Sequence, residues 1–458
     1  MFFHQKAALG EGGCFHLPKD GQATAHPCLN NDTLREFWHN FSFGLSAITM
    51  CEGISLSFTL GEAAPLTPTE GGYAISVTKK GVALTATCEN ELIHGYLTLL
   101  DLIEAGEEGP MLPCCCISEK AKIKRRMVHF CVFPDTELWE LEKFVRLCGA
   151  LQYTHLVLEF WGMLQYDCMR ELAWPHAFSK EEVRPILATA RELGLQVIPM
   201  FNHWGHASAS RVMHGKHVVL DQNPGLQSYF NETGWCWDIR RDKVRALLRA
   251  IRSELIDLCG PGDYFHIGCD EAYGFTYSTD EMDFICDYLN EVSGELAVAG
   301  RRAIMWGDML VYNRPTFTDK RYTAFAPSEA CEQYMLSRLD KRLVIADWQY
   351  DAKTVPIETA LIFRQAGFDC LLCPWEAPAA CLKTIKQEGL FGLLHTTWHT
   401  LSSCMPQVAS AALLCRQDES YPYAELAAQT AALQRKACPI NGDYRRAGWA
   451  KHEIGVNT

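Results

Sequence analysis

MVHFCVFPDTELWELEKFVRLCGALQYTHLVLEF, residues 127–160, reads as strand, helix, strand. Its outer runs, MVHFCVF and THLVLEF, are short and nearly continuous in apolar residues, as strands covered on both faces are. Between them, residues 136–150 carry apolar side chains at helical spacing. The unit then repeats. LQVIPMF (195–201), YFHIG (264–268), RAIMW (302–306), LVIADW (343–348), FDCLL (368–372) and FGLLHTT (391–397) continue the strand-like series. Helix-like segments over 180–193, 243–258 and 355–366 fall between them. Eight β/α repeats over about 290 residues fit a closed (β/α)₈ TIM barrel better than an open doubly wound sheet. No glycine-rich phosphate fingerprint follows any of the runs, which disfavours a nucleotide-binding fold.

Upstream, ISLSFTL, YAISVTK and GVALTAT alternate between glycine and proline breaks and lead into ELIHGYLTLLDLIEAG. Leu92, Ile93, Tyr96, Leu99, Leu100 and Ile103 make one apolar helical face, so a small α+β domain with a helix on a sheet is expected. The chain therefore divides into a non-catalytic N-terminal α+β domain (1–120), a catalytic barrel (121–415) and a helical C-terminal segment (416–458) packed on the barrel. The basic patch ending at Arg126 joins the first two parts.

The charge balance, 55 acidic against 42 basic residues and a net −13, disfavours nucleic acid or an anionic membrane surface as a partner. No signal-like start and no apolar run of membrane-spanning length is present, so a cytoplasmic protein is expected. A homodimer is compatible with the sequence. Most of the 21 cysteines lie in apolar runs, where thiols act as small hydrophobes. Cys370 and Cys373 form a C-x-x-C, and Cys114, Cys115 and Cys116 are consecutive, but neither group has a second ligand pair.

In a parallel barrel the active site forms at the carboxyl ends of the strands. Those positions hold Glu159 and Trp161, His203 and His206, Asp270 and Glu271, Trp306 and Asp308, Trp348 and Tyr350, Trp375 and Glu376, and Trp398. Tryptophans at five strand ends, interleaved with carboxylates and histidines, suit a sugar, whose ring faces are apolar and whose rim is hydroxylated. Glu159, Asp308 and Trp348 are candidate substrate contacts on this ground. Glycosidic cleavage needs an acid for the departing oxygen and a nucleophile for the anomeric carbon. Adjacent carboxylates such as Asp270 and Glu271 cannot easily face each other about 5 Å apart across one bond. If the substrate's own 2-acetamido oxygen attacks, one carboxylate can hold the acetamido N–H while its neighbour is the acid.

FHIGCDEAYGF (265–275) is similar to the H-x-G-x-D-E signature of glycoside hydrolase family 20, the β-N-acetylhexosaminidases. The likeness is to the bacterial intracellular and hexosaminidase D-like members. VIPMFNHWGHAS (197–208) resembles the family's I-P-E-x-D-x-P-G-H stretch, IMWGDML (304–310) matches its fifth strand, and residues 71–103 look like its non-catalytic domain. The resemblance implies Asp270 as the acetamido-polarising residue and Glu271 as general acid, later activating water against an oxazolinium intermediate. It implies His206 beside the acid, Trp306 as a pocket wall, Trp398 as an aromatic floor, Tyr350 on the acetamido carbonyl and Arg126 on sugar hydroxyls. The expected reaction is exo-removal of terminal GlcNAc or GalNAc from a small carbohydrate, with no cofactor and no metal. Met127, Cys131, Asn202 and Thr400 depart from the family's usual residues.

Three other readings remain open on the sequence: a double-displacement glycosidase using Glu159 or Glu376, a metal-dependent hydrolase built on His203, His206, His214 and His217, and a non-catalytic sugar-binding protein on the same scaffold.

Overall fold

The computed structural model describes residues 2, 12–208, 220, 223–398 and 401–439. The first strands are β1 (Cys14–His16), β2 (Gln22–Ala25), β3 (Thr49–Glu52), β4 (Ser57–Gly61), β5 (Tyr73–Thr78) and β6 (Gly81–Ala86), followed by β7 (Glu104–Gly106), β8 (Gly109–Pro113) and β9 (Cys115–Glu119). They form a sheet in the order β3-β2-β4-β6-β5-β9 and a smaller one, β1-β8-β7. The expected apolar face of helix Glu89–Asp101 is buried against the larger sheet through Leu92, Tyr96, Leu99 and Leu100. The Tyr73 hydroxyl anchors it, 2.7 Å from the Thr98 hydroxyl. The domain starts earlier than its alternating apolar runs suggest: β1 to β3 and helix Asp32–Phe41, capped by Asn31 Oδ1 on the Leu34 amide, precede the patterned region.

The eight remaining strands, β10 (Arg126–Cys131), β11 (His155–Glu159), β12 (Gln196–Met200), β13 (Tyr264–His266), β14 (Arg302–Trp306), β15 (Val344–Asp347), β16 (Asp369–Leu372) and β17 (Gly392–His395), close into a parallel barrel. Closure runs through β10 and β17, with Met127 opposite Leu394. Alternation sorts the side chains. Met127, Val157, Ile198, Ile304, Trp306, Val344 and Leu394 fill the interior, while Val128, Phe130, Leu156 and Leu158 pack outward on the helices. Burial of each such side chain contributes about 1.5–3 kcal/mol. Cys370 faces the helical layer and Cys373 the interior, so the C-x-x-C pair points to opposite faces. No disulfide joins described residues, and among them no helix is long and apolar enough to cross a membrane. Helix Tyr423–Ala437 packs against helices Leu138–Ala150 and Asp32–Phe41.

Arg126 corrects an expectation. As the first residue of β10 it lies at the amino end of the barrel, away from the mouth, and is 1% exposed. Its Nε donates to the Gln152 carbonyl at 2.9 Å and Nη1 to the Ile123 carbonyl at 3.0 Å, while Nη2 meets His94 Nδ1 at 3.2 Å. Those partners consume the guanidinium, which ties the barrel floor to helix Glu89–Asp101 instead of holding sugar hydroxyls. Burial, outweighing the nearby Glu91, lowers the His94 pKa to about 4. Burial opposes the charge of Glu91, but His94, Arg126 and Arg416 overcome it and hold its pKa at about 2.

Two outcomes are expected from this junction. Arg126→Met orphans buried carbonyls, so urea denaturation should show a loss of about 2–4 kcal/mol, with KM for substrate unchanged. Unfolded His94 takes a proton near pH 6.5 that the folded residue refuses until about 4. Unfolded Glu91 likewise protonates near 4.5 against about 2 when folded. Both shifts make the unfolded state bind more protons, so stability present at pH 7 falls as pH drops through 6.5 toward 2. The melting temperature of the native chain across that range, compared with His94→Gln, measures the effect.

Candidate active site

β13 ends at His266, and the chain continues through Gly268 to the acidic pair. Gly268 is required twice over. Its φ is +65°, and a Cβ there would lie 1.7 Å from Asn202 Oδ1. Gly205 lets the loop after β12 approach the pair, since a Cβ would lie 2.0 Å from the Asp270 carbonyl oxygen. These contacts join two strand ends tightly and explain one glycine in each of the two loops.

Cys269 and Glu271 have φ of 77° and 46°, in the left-handed region that non-glycine residues enter at a cost of roughly 1–3 kcal/mol. Consecutive carboxylates thereby meet one histidine. His206 Nε2 lies 2.9 Å from Glu271 Oε2 and 3.3 Å from Asp270 Oδ2. Asp270 is 6% exposed, whereas the Glu271 side chain is 26% exposed. One carboxyl is enclosed and the other faces the opening.

Side chains outside the strand-end series complete the acid's surroundings. Trp235, from the loop 231–238, donates its indole N–H to the Glu271 carbonyl at 2.6 Å. Its ring lies 4.4 Å from His206 and stacks on Tyr273 at 5.6 Å. The Tyr273 hydroxyl hydrogen-bonds Glu271, and burial together with that carboxylate pushes the phenol well up. The Trp161 ring lies 6.0 Å from that of His206. The sequence offers only a weak signal for Trp235, an aromatic pair in NETGWCW with no strand before it.

Asp308 reaches the pair but is 1% exposed. Its Oδ2 accepts the Glu271 backbone N–H at 2.8 Å and its Oδ1 accepts the Trp348 indole N–H at 3.1 Å. Burial first, and the neighbouring Asp270 charge second, push its carboxyl well above the usual carboxylate range. The expectation of a direct substrate contact is thus corrected: both oxygens face protein donors.

The aromatic wall is continuous. Trp348 lies 5.1 Å from Tyr350, and Tyr350 lies 5.5 Å from Trp375. The Tyr350 hydroxyl accepts the Trp398 indole N–H at 2.6 Å. Trp306 lies 5.8 Å from Trp398 but is fully buried, so it forms the deeper layer and Trp398 the more open one.

Beneath Trp398, Glu159 is fully buried and hydrogen-bonded to His129 Nε2 at 2.9 Å, with the His129 ring 4.8 Å from Trp398. Among the described residues, His129, Cys131 and Glu159 are the one group whose ligand atoms, all within 4.8 Å, could hold a metal ion. His203 and His206 do not converge. His203 is fully buried, its Nδ1 2.6 Å from the Phe201 carbonyl and its ring 5.9 Å from Phe265, and burial holds its pKa well below the usual value. Glu376 is exposed. Met127 lines the barrel interior, and the Asn202 carbonyl accepts the Trp237 indole N–H at 2.9 Å. His214, His217 and Thr400 lie outside the described residues.

Comparison with known proteins agrees with this arrangement. Residues 157–377 match the model for the catalytic domain of glycosyl hydrolase family 20. Hexosaminidase D of Bos taurus is 28% identical over 259 residues, covering 56% of this chain and 71% of its own length. A β-hexosaminidase of Vibrio furnissii is 24% identical over 243 residues, covering 44% of this chain and 38% of its own length. In fold, the chain matches the β-N-acetylhexosaminidase of Bacteroides fragilis with a TM-score of 0.65 at 15% identity, covering 93% of each chain. A Streptomyces plicatus β-hexosaminidase solved with GlcNAc gives a TM-score of 0.65 at 16% identity over 94% of each chain. The matched segment runs from β11 past β16 and contains the acidic pair, His206, Asp308 and Tyr350. Residues 157–377 of this chain therefore form a segment that matches the catalytic domain of glycosyl hydrolase family 20, set in a fold shared with solved β-N-acetylhexosaminidases.

Proposed function

We propose that the enzyme releases terminal N-acetylhexosamine from the non-reducing end of small glycans by substrate-assisted catalysis with retention. The observation that carries this reading is the acidic pair itself: consecutive carboxyls, one enclosed and one open, both on His206 Nε2. In the first step Glu271 protonates the departing glycosidic oxygen as the C1–O bond breaks and the acetamido oxygen bonds to C1. Asp270 holds the acetamido N–H and stabilises the positive charge of the resulting oxazolinium. In the second step Glu271, now a carboxylate, takes a proton from water as its oxygen attacks C1, and the ring reopens with configuration retained.

Tyr350 is oriented by Trp398 and Thr396 to hold the acetamido carbonyl, with Trp348 and Trp398 as walls for the sugar. The named activities of the bovine, Vibrio and Bacteroides relatives support the substrate class. Double displacement is less well supported, because Glu159 is buried on His129 and Glu376 lies exposed. Binding without turnover is less well supported too, since an acid gripped by Trp235, Tyr273 and His206 serves chemistry better than adhesion. Buried thiols such as Cys148, Cys259 and Cys286 favour a reducing compartment, consistent with a cytoplasmic enzyme.

Hydrolysis of 4-nitrophenyl N-acetyl-β-glucosaminide should exceed that of the matching β-glucoside by roughly 10³-fold or more. Equal rates would remove the acetamido group from the mechanism. Glu271→Gln should lower kcat on a disaccharide by roughly 10²–10⁴-fold while sparing an activated aryl glycoside in the first step. Near-normal disaccharide turnover would exclude Glu271 as the acid.

A further inference from the structure

Glu271 lies in a loop, in a left-handed conformation, beside Cys269 in another. No regular element holds its peptide groups. Its carbonyl accepts the Tyr273 backbone N–H at 2.7 Å, and two side chains from other loops add to the hold: the Trp235 indole donates to that carbonyl at 2.6 Å, and Asp308 Oδ2 accepts its amide N–H at 2.8 Å. The same Asp308 accepts the Trp348 indole N–H at 3.1 Å through its other oxygen. The two donors to Asp308 arrive from different strand ends, the loops after β13 and β15. Only a carboxylate offers an acceptor atom to each; an amide would turn its NH₂ toward one of the two donors.

Keeping a carboxylate at 1% exposure next to Asp270 is costly, since each charge raises the energy of the other. A group that merely filled space would be better apolar. The two N–H donors offset part of that cost and give the buried carboxyl a task. We infer that Asp308 is the positioning residue of the acid: it fixes the Glu271 peptide in its left-handed turn and locks that turn to the Trp348 wall. Asp308 thereby links the position of the proton donor to that of the aromatic wall. Asp308 itself touches no substrate. This inference rests on the reading of Glu271 as the acid.

The test uses the full chain carrying Asp308→Asn, assayed on N,N′-diacetylchitobiose and on 4-nitrophenyl N-acetyl-β-glucosaminide, with Glu271→Gln in parallel. A misplaced acid matters most where the leaving group needs a proton. Asp308→Asn should therefore lose roughly 10–100-fold in kcat on the disaccharide and under about 5-fold on the aryl glycoside, with KM for both within about 3-fold. Equal losses on both substrates, as a merely structural role would give, or no loss at all, would overturn the inference. If Glu271→Gln keeps full disaccharide turnover, the reading of the acid fails instead. Should Asp308→Asn not fold, amide exchange in the unmodified protein decides: the Glu271 amide should be protected although it lies in a loop. Rapid exchange there would overturn the proposal.

Discussion

When Met127 pairs with Leu394, the eight-stranded sheet has no edge left, and every strand must deliver its carboxyl end to one rim. That closure makes neighbours of residues far apart in the chain. His206 and Glu271 are 65 positions apart, and Asp308 lies 37 beyond Glu271. Within the ring the alternation of side chains leaves little freedom: the interior is filled from Met127 upward to Trp306, and the residues just beyond each strand are free to carry chemistry. The site is thus a product of how the sheet closes as much as of the residues that compose it.

Much of this was legible in the chain itself because strands covered on both faces are mostly apolar, and the eight runs follow that tendency apart from a few polar residues such as His129, Glu159 and His266. The Asp270–Glu271 pair stood out through its adjacency and flanking glycine, whose necessity the Asn202 contact explains. Contacts that depend on loop conformation leave no such pattern. Trp235 follows no strand, yet it holds the acid's carbonyl. Arg126 was assigned to the sugar by likeness alone, whereas its place at the start of β10 commits it to the Gln152 and Ile123 carbonyls and to His94. Asp308 looked like a ligand contact because it follows a strand, and only the direction of its oxygens reveals otherwise.

Two of the departures from the family pattern, Met127 and Cys131, lie on β10, which precedes the segment matched by the family model. Cys131 lies opposite Glu159 in the register, and His129, two residues earlier on the same inward face, takes the Glu159 carboxylate. A hydrogen-bonded histidine and glutamate therefore furnish the polar floor beneath Trp398. The acidic pair at the rim and the polar floor beneath it are built from different strands, so one can change while the other is kept.

The grip on Glu271 from both sides has a consequence for how such a site is specified. Its placement is not encoded at position 271 alone: besides the local Tyr273 contact, it is shared among the loops that bring Trp235 and Asp308 to the same residue. Copying the short acidic signature onto another barrel would transplant the acid without its coordinates. The loops after β12, β13 and β14 thus act as a single unit written in three places along the chain.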